Sequence, residues 1–222
     1  MTDKNRQIMK TLLKKTLKNV SFMILLLKMC VVFGQKKIIV IDSGHGGKDS
    51  GAMGINDIQE KDVVLNIAEK ILTLNKTILN NEFDVYLTRY KDTLISLSDR
   101  SRLAKSLDAN VFVSLHCNAS HNHSKGIEVY LHNSDNSNTK NSIILGTSVL
   151  NESTQKLGFI TRGVKFADFQ VLRETTFCPA ILVELGFVTH IDEAEYFLAP
   201  KNIRAIALAV LLGITNCLNT GL

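Results

Sequence analysis

Apolar positions in this chain recur with two periods, and the alternation between them lays out a domain. Short, almost unbroken runs rich in Val, Ile and Leu occupy residues 37–42 (KIIVID), 111–116 (VFVSLH) and 180–185 (AILVEL). Runs of that length and content predict strands covered on both faces, as in a parallel sheet. Two more strands are predicted at residues 84–89 (DVYLTR) and 126–131 (GIEVYL). The second period is helical. Val63, Ile67, Ile71, Leu74 and Ile78 fall three or four apart and predict an amphipathic helix starting near Glu60. Ser96 with Asp99 three residues on resembles a capping box, opening a helix that runs through Leu107. A third helix is predicted over residues 143–157, and Ile203, Ile206, Val210, Ile214 and Leu218 mark the last. Strands alternating with helices predict a single α/β domain over residues 35–222.

The first 34 residues follow neither period. Lys4, Arg6, Lys10, Lys14, Lys15 and Lys18 precede an apolar run from Val20 to Leu27, and Lys28 interrupts before Met29 to Phe33. This reads as a secretory signal peptide, with Val32 and Gly34 supplying small residues before a cut near Gln35. The alternative is an uncleaved anchor, against which the apolar stretch is shorter than the roughly 20 residues a spanning helix needs. Cys30 raises a lipoprotein reading that bulky Lys28 and Met29 oppose.

Removing that segment changes the charge. The whole chain carries +5, but residues 1–34 hold seven of the basic residues and one acid, so the remainder is −1. A nucleic-acid footprint would need a basic stripe on the folded domain, and the balance gives none. Cys117, Cys178 and Cys217 remain, too few and too odd in number for a disulfide framework, though one pair is compatible with an oxidising compartment.

The chemistry gathers where the predicted strands end. The first strand runs into Gly44-His45-Gly46-Gly47-Lys48-Asp49. A phosphate-binding P-loop would need a longer glycine spacing and a Ser or Thr after the Lys, and the dinucleotide pattern would need glycine at Asp49. What survives is an exposed imidazole on a backbone free to take positive φ. His116 closes the second strand and Glu184 lies near the end of the third, while Glu60 opens the helix after the glycine loop. In open α/β sheets ligands bind outside the carboxyl ends of the strands, so these groups converge.

Two imidazoles and a carboxylate are a donor set for Zn²⁺ with a fourth position open, as in catalytic zinc sites. No HExxH segment is present. Singly, His45 is also a plain loop residue, and Glu60 an acid favoured by the helix dipole. His116, closing an apolar strand, must find partners for its ring nitrogens. Glu184 within AILVELGF would cost several kcal/mol if buried ionised and alone, so it must be protonated, paired or near a metal. His121, His123 and His132 lie in polar stretches where solvent is the default partner, and His190 falls at the crevice rim. Cys117 should point away from His116 across the strand, and Cys178 should pack.

These residues sit in longer motifs. IIVIDSGHGGKDSGAMG, QEKDVVLNIAEKI, LSDRSRLAKSLDANVFVSLHCNAS, KGIEVYL and FQVLRETTFCPAILVELGFVTH follow one another in the order seen in zinc-dependent N-acetylmuramoyl-L-alanine amidases, a bacterial cell-wall family that this chain resembles. The resemblance implies a mostly parallel or mixed sheet of about six strands with helices on both faces. It implies one Zn²⁺ held by His45, Glu60 and His116, and Glu184 as the catalytic glutamate. Arg100 and Arg173 match recurrent arginines, read first as salt-bridge partners. Ser43, Cys117, Lys105 and His190 depart from the family's usual residues without touching a ligand.

The implied reaction is hydrolysis of the amide between N-acetylmuramic acid and the L-alanine of the stem peptide in peptidoglycan. Export to the periplasm or cell wall follows, with membrane contact only in transit and an activator or wall-targeting partner left open. The segment between Leu131 and Gln170 is too short for the autoinhibitory helix insertion of septal relatives, so an unplugged enzyme is expected, without a separate wall-binding domain. A zinc peptidase acting within the stem peptide and a non-catalytic peptidoglycan-binding relative are the competing readings.

Overall fold

In the computed structural model, which describes residues 3–32, 35–134 and 137–220, residues 3–32 form one helix, α1 (Asp3–Val32), in a unit separate from the domain that follows. The expected cut depends on Gly34, which lies outside the described residues.

The domain runs in chain order through β1 (Ile38–Ser43), α2 (Glu60–Thr77), β2 (Asp84–Leu87), α3 (Leu97–Ser106), β3 (Val111–Asn118) and β4 (Ile127–Leu131). It continues with α4 (Ser137–Leu157), β5 (Thr161–Phe166), α5 (Gln170–Arg173), β6 (Ala180–Phe187), α6 (Ile191–Leu198) and α7 (Pro200–Asn219). The six strands make one mixed sheet in the order β2-β1-β3-β6-β4-β5. Every neighbouring pair is parallel except β4 with β6. This is the expected α/β class.

Both faces of the sheet are covered, which is why its central strands read as continuous apolar runs. On one face Ile39, Ile41, Val113, Leu115, Val183 and Leu185 join a core with α2, α4 and α7. On the other, Val40, Phe112 and Leu182 pack with Ala104 of α3 and with Val171 and Leu172 of α5. The helical period holds over four of its five positions: Val63, Ile67, Ile71 and Leu74 are buried, whereas Ile78 follows the last turn of α2 and is exposed. α7 is long and apolar enough to cross a membrane, but eleven of its residues are buried, so it is a core helix of the domain. Gly213 lets it approach α4 closely, since a Cβ there would fall 2.6 Å from the Val149 Cα.

The differences from the sequence reading lie at edges and ends. β5 was not predicted. It is an edge strand whose residues are exposed or half-buried, interrupted by Gly163 at φ 88°, so it lacks an apolar signature. The short helices α5 and α6 were also missed, α6 because Pro200 divides it from α7. α4 begins at Ser137 rather than 143, through the polar turn SNTKN, and together with β5 it fills the segment between Leu131 and Gln170. The N-cap half of the box forms: Ser96 Oγ accepts from the Asp99 backbone N–H at 3.2 Å, while Asp99 Oδ2 accepts from the Ser96 hydroxyl at 2.5 Å rather than from its backbone N–H. Cys117, Cys178 and Cys217 are buried free thiols.

A buried ion pair ties the site end of the sheet together. Asp42, 1% exposed, accepts from Arg100 Nη1 at 2.7 Å, and also from Thr88 Oγ1 and Ser114 Oγ at 2.7 Å. Arg100 donates further to the carbonyls of Ser43 at 2.6 Å, His45 at 2.8 Å and Ile95 at 3.1 Å. Both charges are therefore satisfied, as burial requires. Arg173, by contrast, pairs with Asp168 at 2.6 Å near the surface. Replacing Asp42 by Ala should destabilise the domain by about 3–5 kcal/mol in urea unfolding, because it strands a buried guanidinium. A loss below about 1 kcal/mol would show that this pair is not what holds α3 to the sheet.

Candidate active site

The glycine loop is shaped by what it must pass. Gly44 continues the β1–β3 ladder, its N–H donating to the Leu115 carbonyl at 3.0 Å. A Cβ at Gly44 would lie 2.4 Å from His116 Cε1, so only glycine lets the loop run beside that imidazole. His45 itself takes φ 59°, followed by Gly46 at 124° and Gly47 at 58°, a left-handed stretch that turns its side chain over the strand ends. Arg89 and Lys61 pin this loop. Arg89 donates to the carbonyls of Ser43, Gly44 and Lys61, and Lys61 Nζ donates to the Gly47 carbonyl at 2.9 Å.

Three of the predicted residues meet at one point. Glu60 Oε1 lies 3.1 Å from His45 Nε2 and 2.8 Å from His116 Nδ1, and it accepts from the Cys117 backbone N–H at 3.0 Å. Glu60 Oε2 accepts from the Ala52 N–H at 2.8 Å. One donor atom from each of the three side chains lies within 4.8 Å of the other two. The imidazoles stand edge to face, their ring centres 4.9 Å apart.

Burial would raise the Glu60 carboxyl, but the hydrogen bonds from His116 and His45 outweigh it and hold the group well below the usual carboxylate range. Burial works to lower His45, yet Glu60 and then Asp49 prevail and raise it to about 9. Asp49 Oδ2 sits 2.9 Å from His45 Nδ1, a partner that orients the ring and leaves Nε2 facing Glu60. The donor set of two nitrogens and one carboxylate, gathered around one point, fits Zn²⁺ better than the all-oxygen shells of Ca²⁺ or Mg²⁺.

The fourth predicted residue stands beside this cluster. His116 and Glu184 are register partners in the parallel β3–β6 ladder, so both project from the same face. Glu184 Oε2 is buried and has no hydrogen-bond partner among the described residues. Burial raises its pKa to about 7, helped by the nearby Glu60 and Glu128 carboxylates and opposed by the imidazoles. A cavity of about 620 Å³ opens on the other side of His116, lined among others by Gly44, His45, Leu94, Leu97 and Arg100.

The remaining histidines stay outside. His121 and His123 are exposed, His132 lies 3.7 Å from Asp168, and His190 holds the N-cap position of α6 without a side-chain hydrogen bond to the helix. Cys117 packs in the opposite core, as strand alternation predicts. Asp49 and Glu128 were not singled out from the sequence. Asp49 carried one usable signal, its position four residues after His45 in a loop that must turn back on itself.

The family model for N-acetylmuramoyl-L-alanine amidases matches residues 39–216. The chain belongs to this family. It is 38% identical over 187 residues to the endolysin of Bacillus phage SPP1, covering 82% of this chain and 66% of that protein. It is 34% identical over 184 residues to a sporulation-specific N-acetylmuramoyl-L-alanine amidase of Bacillus subtilis (strain 168), covering 82% and 68%. The chain thus spans about two thirds of the length of these relatives. Among solved structures, an N-acetylmuramoyl-L-alanine amidase from Clostridium difficile 630 superposes with a TM-score of 0.78 at 32% identity, covering 85% of this chain and 100% of that one.

The contact at Gly44 generates a test. Gly44→Ala should displace the His116 ring and lower bound zinc per chain, measured by elemental analysis, while the far-UV spectrum of the domain is retained. Gly158→Ala, whose added carbon meets nothing within 4 Å, should keep full zinc and lose only about 1–2 kcal/mol of stability to its positive φ. Equal zinc in both variants would contradict the close approach.

Proposed function

We propose that this chain hydrolyses the amide joining the lactyl group of N-acetylmuramic acid to the L-alanine of the stem peptide, with His45, Glu60 and His116 holding one Zn²⁺ and Glu184 moving the proton. The observation that carries the reading is the pairing of a gathered imidazole–carboxylate–imidazole set with a half-buried carboxyl on the adjoining strand whose inner oxygen, Glu184 Oε2, has no partner among the described residues. A bound zinc ion supplies Lewis-acid polarisation of the carbonyl and brings a water's pKa down to about 7.

The residues divide the remaining work. Glu60 contributes the negative charge of the set, kept ionised by its two imidazole neighbours. Asp49 orients His45, and the Arg100 and Arg89 contacts hold the loop that carries it. Glu184 takes the proton of the attacking water and returns it to the departing alanine nitrogen. A carboxyl whose surroundings bring its pKa to about 7 can both accept and donate near neutral pH. The buried flank of Glu184 limits its exchange with bulk solvent, and the cavity beside His116 leaves room for a polymeric substrate to lie across the strand ends.

Residues 1–34 serve, in this reading, as the export signal that brings the domain to the periplasm or cell wall where peptidoglycan lies. Their basic segment followed by an apolar run supports it. An activator or a wall-targeting partner is compatible with the site.

Purified sacculi digested by the zinc-loaded protein should release stem peptides and leave free lactyl groups on the glycan, identified by mass, and a chelator should abolish the release. Cleavage within the stem peptide would favour a zinc peptidase instead, and sacculus binding without turnover a non-catalytic relative. Glu184→Gln should keep stoichiometric zinc and lose roughly 10²- to 10⁴-fold in rate. Full activity in that variant would remove Glu184 from the reaction. His116→Ala should lose zinc and activity together, and retained zinc would overturn its assignment.

A further inference from the structure

Glu128, on the strand beside Glu184, organises a group of side chains that the reaction above does not use. The two glutamates are register partners in the antiparallel β4–β6 ladder and therefore share a face of the sheet. Glu128 is 2% exposed. Its Oε1 accepts from Asn118 Nδ2 at 2.7 Å and from the Tyr130 hydroxyl at 3.0 Å. Its Oε2 accepts from Arg162 Nε at 2.9 Å and from Lys165 Nζ. Both cations come from the edge strand β5 and are about a third exposed.

One buried carboxylate thus anchors two cations, and a net positive charge remains at the rim. A guanidinium offers five N–H donors and an ammonium three. Arg162 and Lys165 each commit one to Glu128, and the others have no partner among the described residues. Aromatic rings fix where those donors lie: the Arg162 guanidinium stands 5.1 Å from the Phe187 ring centre, and Lys165 Nζ 5.7 Å from that of Tyr130. Such stacking holds a cation in place while leaving its outer N–H groups free.

The two flanks of the metal-ligand set are consequently unlike. The cavity beside His116 has Leu94 and Leu97 in its wall, whereas on the Glu184 side the register runs from His116 to Glu184 to Glu128, where Arg162 and Lys165 are anchored. A muramoyl peptide is unlike at its two ends as well. The N-acetylated sugars are neutral, with the lactyl carboxyl consumed in the scissile amide, whereas the peptide bears carboxylates. Adjacent strands lie about 4.8 Å apart, so β5 is roughly 10 Å from β6, and the two long side chains reach back over β4. With their charged ends held at Glu128 on β4, about one strand spacing, roughly 5 Å, remains to Glu184, a span of one or two peptide residues.

We propose that Arg162 and Lys165, anchored on Glu128, form a carboxylate subsite for the stem peptide, so that the chain favours substrates whose residue after the scissile alanine bears a free carboxylate rather than its amide. The inference rests on the amidase reading and sets the direction in which the substrate lies, peptide toward β5 and glycan toward α3.

The test uses the zinc-loaded full chain and two muramoyl peptides that differ only in that group, carboxylate in one and carboxamide in the other. The wild-type kcat/KM should favour the carboxylate roughly tenfold, the scale of a charge-assisted contact at a partly exposed site. The preference should shrink as salt is raised. It should be intermediate in Lys165→Gln and fall to about one in Arg162→Gln/Lys165→Gln. Equal kcat/KM for both substrates in the wild type, or a wild-type ratio kept by either variant, would overturn the subsite. Turnover of neither substrate by the wild type would overturn the amidase reading itself and the subsite with it.

Discussion

A single carboxylate oxygen, Glu60 Oε1, meets an imidazole on either side and a backbone N–H behind it, and the arrangement of the surrounding fold follows from making that meeting possible. An ionised carboxylate taken out of water is costly unless charge and hydrogen bonds replace its hydration. Here the replacements come from three separate pieces of chain. His45 arrives on the glycine loop, His116 at the end of β3, and Ala52 and Cys117 supply main-chain N–H groups. Glu60 itself is delivered by the first turn of α2, whose apolar stripe is buried against the sheet. The core that stabilises the domain is therefore also what sets the position of this oxygen.

The sheet supplies the second constraint, a common finishing line for strands that are distant in sequence. Parallel pairing of β1, β3 and β6 places Ser43 opposite Leu115 and His116 opposite Glu184, so the polar groups that end these runs stand side by side. Asp42 and Arg100 lock the same end. The guanidinium spans an acid of β1, the carbonyl after it and the His45 carbonyl, coupling helix α3 to the loop in one charge-satisfied unit. Glu184 is left with a buried unpartnered oxygen next to the cluster, a local departure from full hydrogen bonding of the kind that catalytic groups show.

What the sequence disclosed follows from where packing leaves a simple periodicity. The central strands were legible because both faces are covered, and Val63, Ile67, Ile71 and Leu74 because one helix face is. β5 was hidden because an edge strand with Arg162, Gly163 and Lys165 has neither two covered faces nor a clean alternation. His45, Glu60, His116 and Glu184 could be read as a set because each is a polar group where an apolar run stops or a helix starts. Asp49 left only the hint of its place four residues after His45, and Arg89 left none, since its role depends on how a left-handed loop folds back, which spacing does not encode. Glu128 was hidden by its setting. In GIEVYL it looks like the solvent side of an alternating strand, and only the cations of β5 reveal that it is buried and paired.

The family match and the geometry bear on different questions, the first on which bond is cut and the second on which atoms could cut it. The claim on which the chemistry stands is that one zinc ion sits among His45, Glu60 and His116. Anomalous diffraction at the zinc absorption edge, from crystals of the metal-loaded protein, addresses it directly. The expected result is one peak bonded at about 2.0–2.2 Å to a nitrogen of each histidine and to a Glu60 oxygen, with a coordination position left open toward Glu184. A peak bound elsewhere on the chain, or one at this site lacking any of the three ligands, would contradict it.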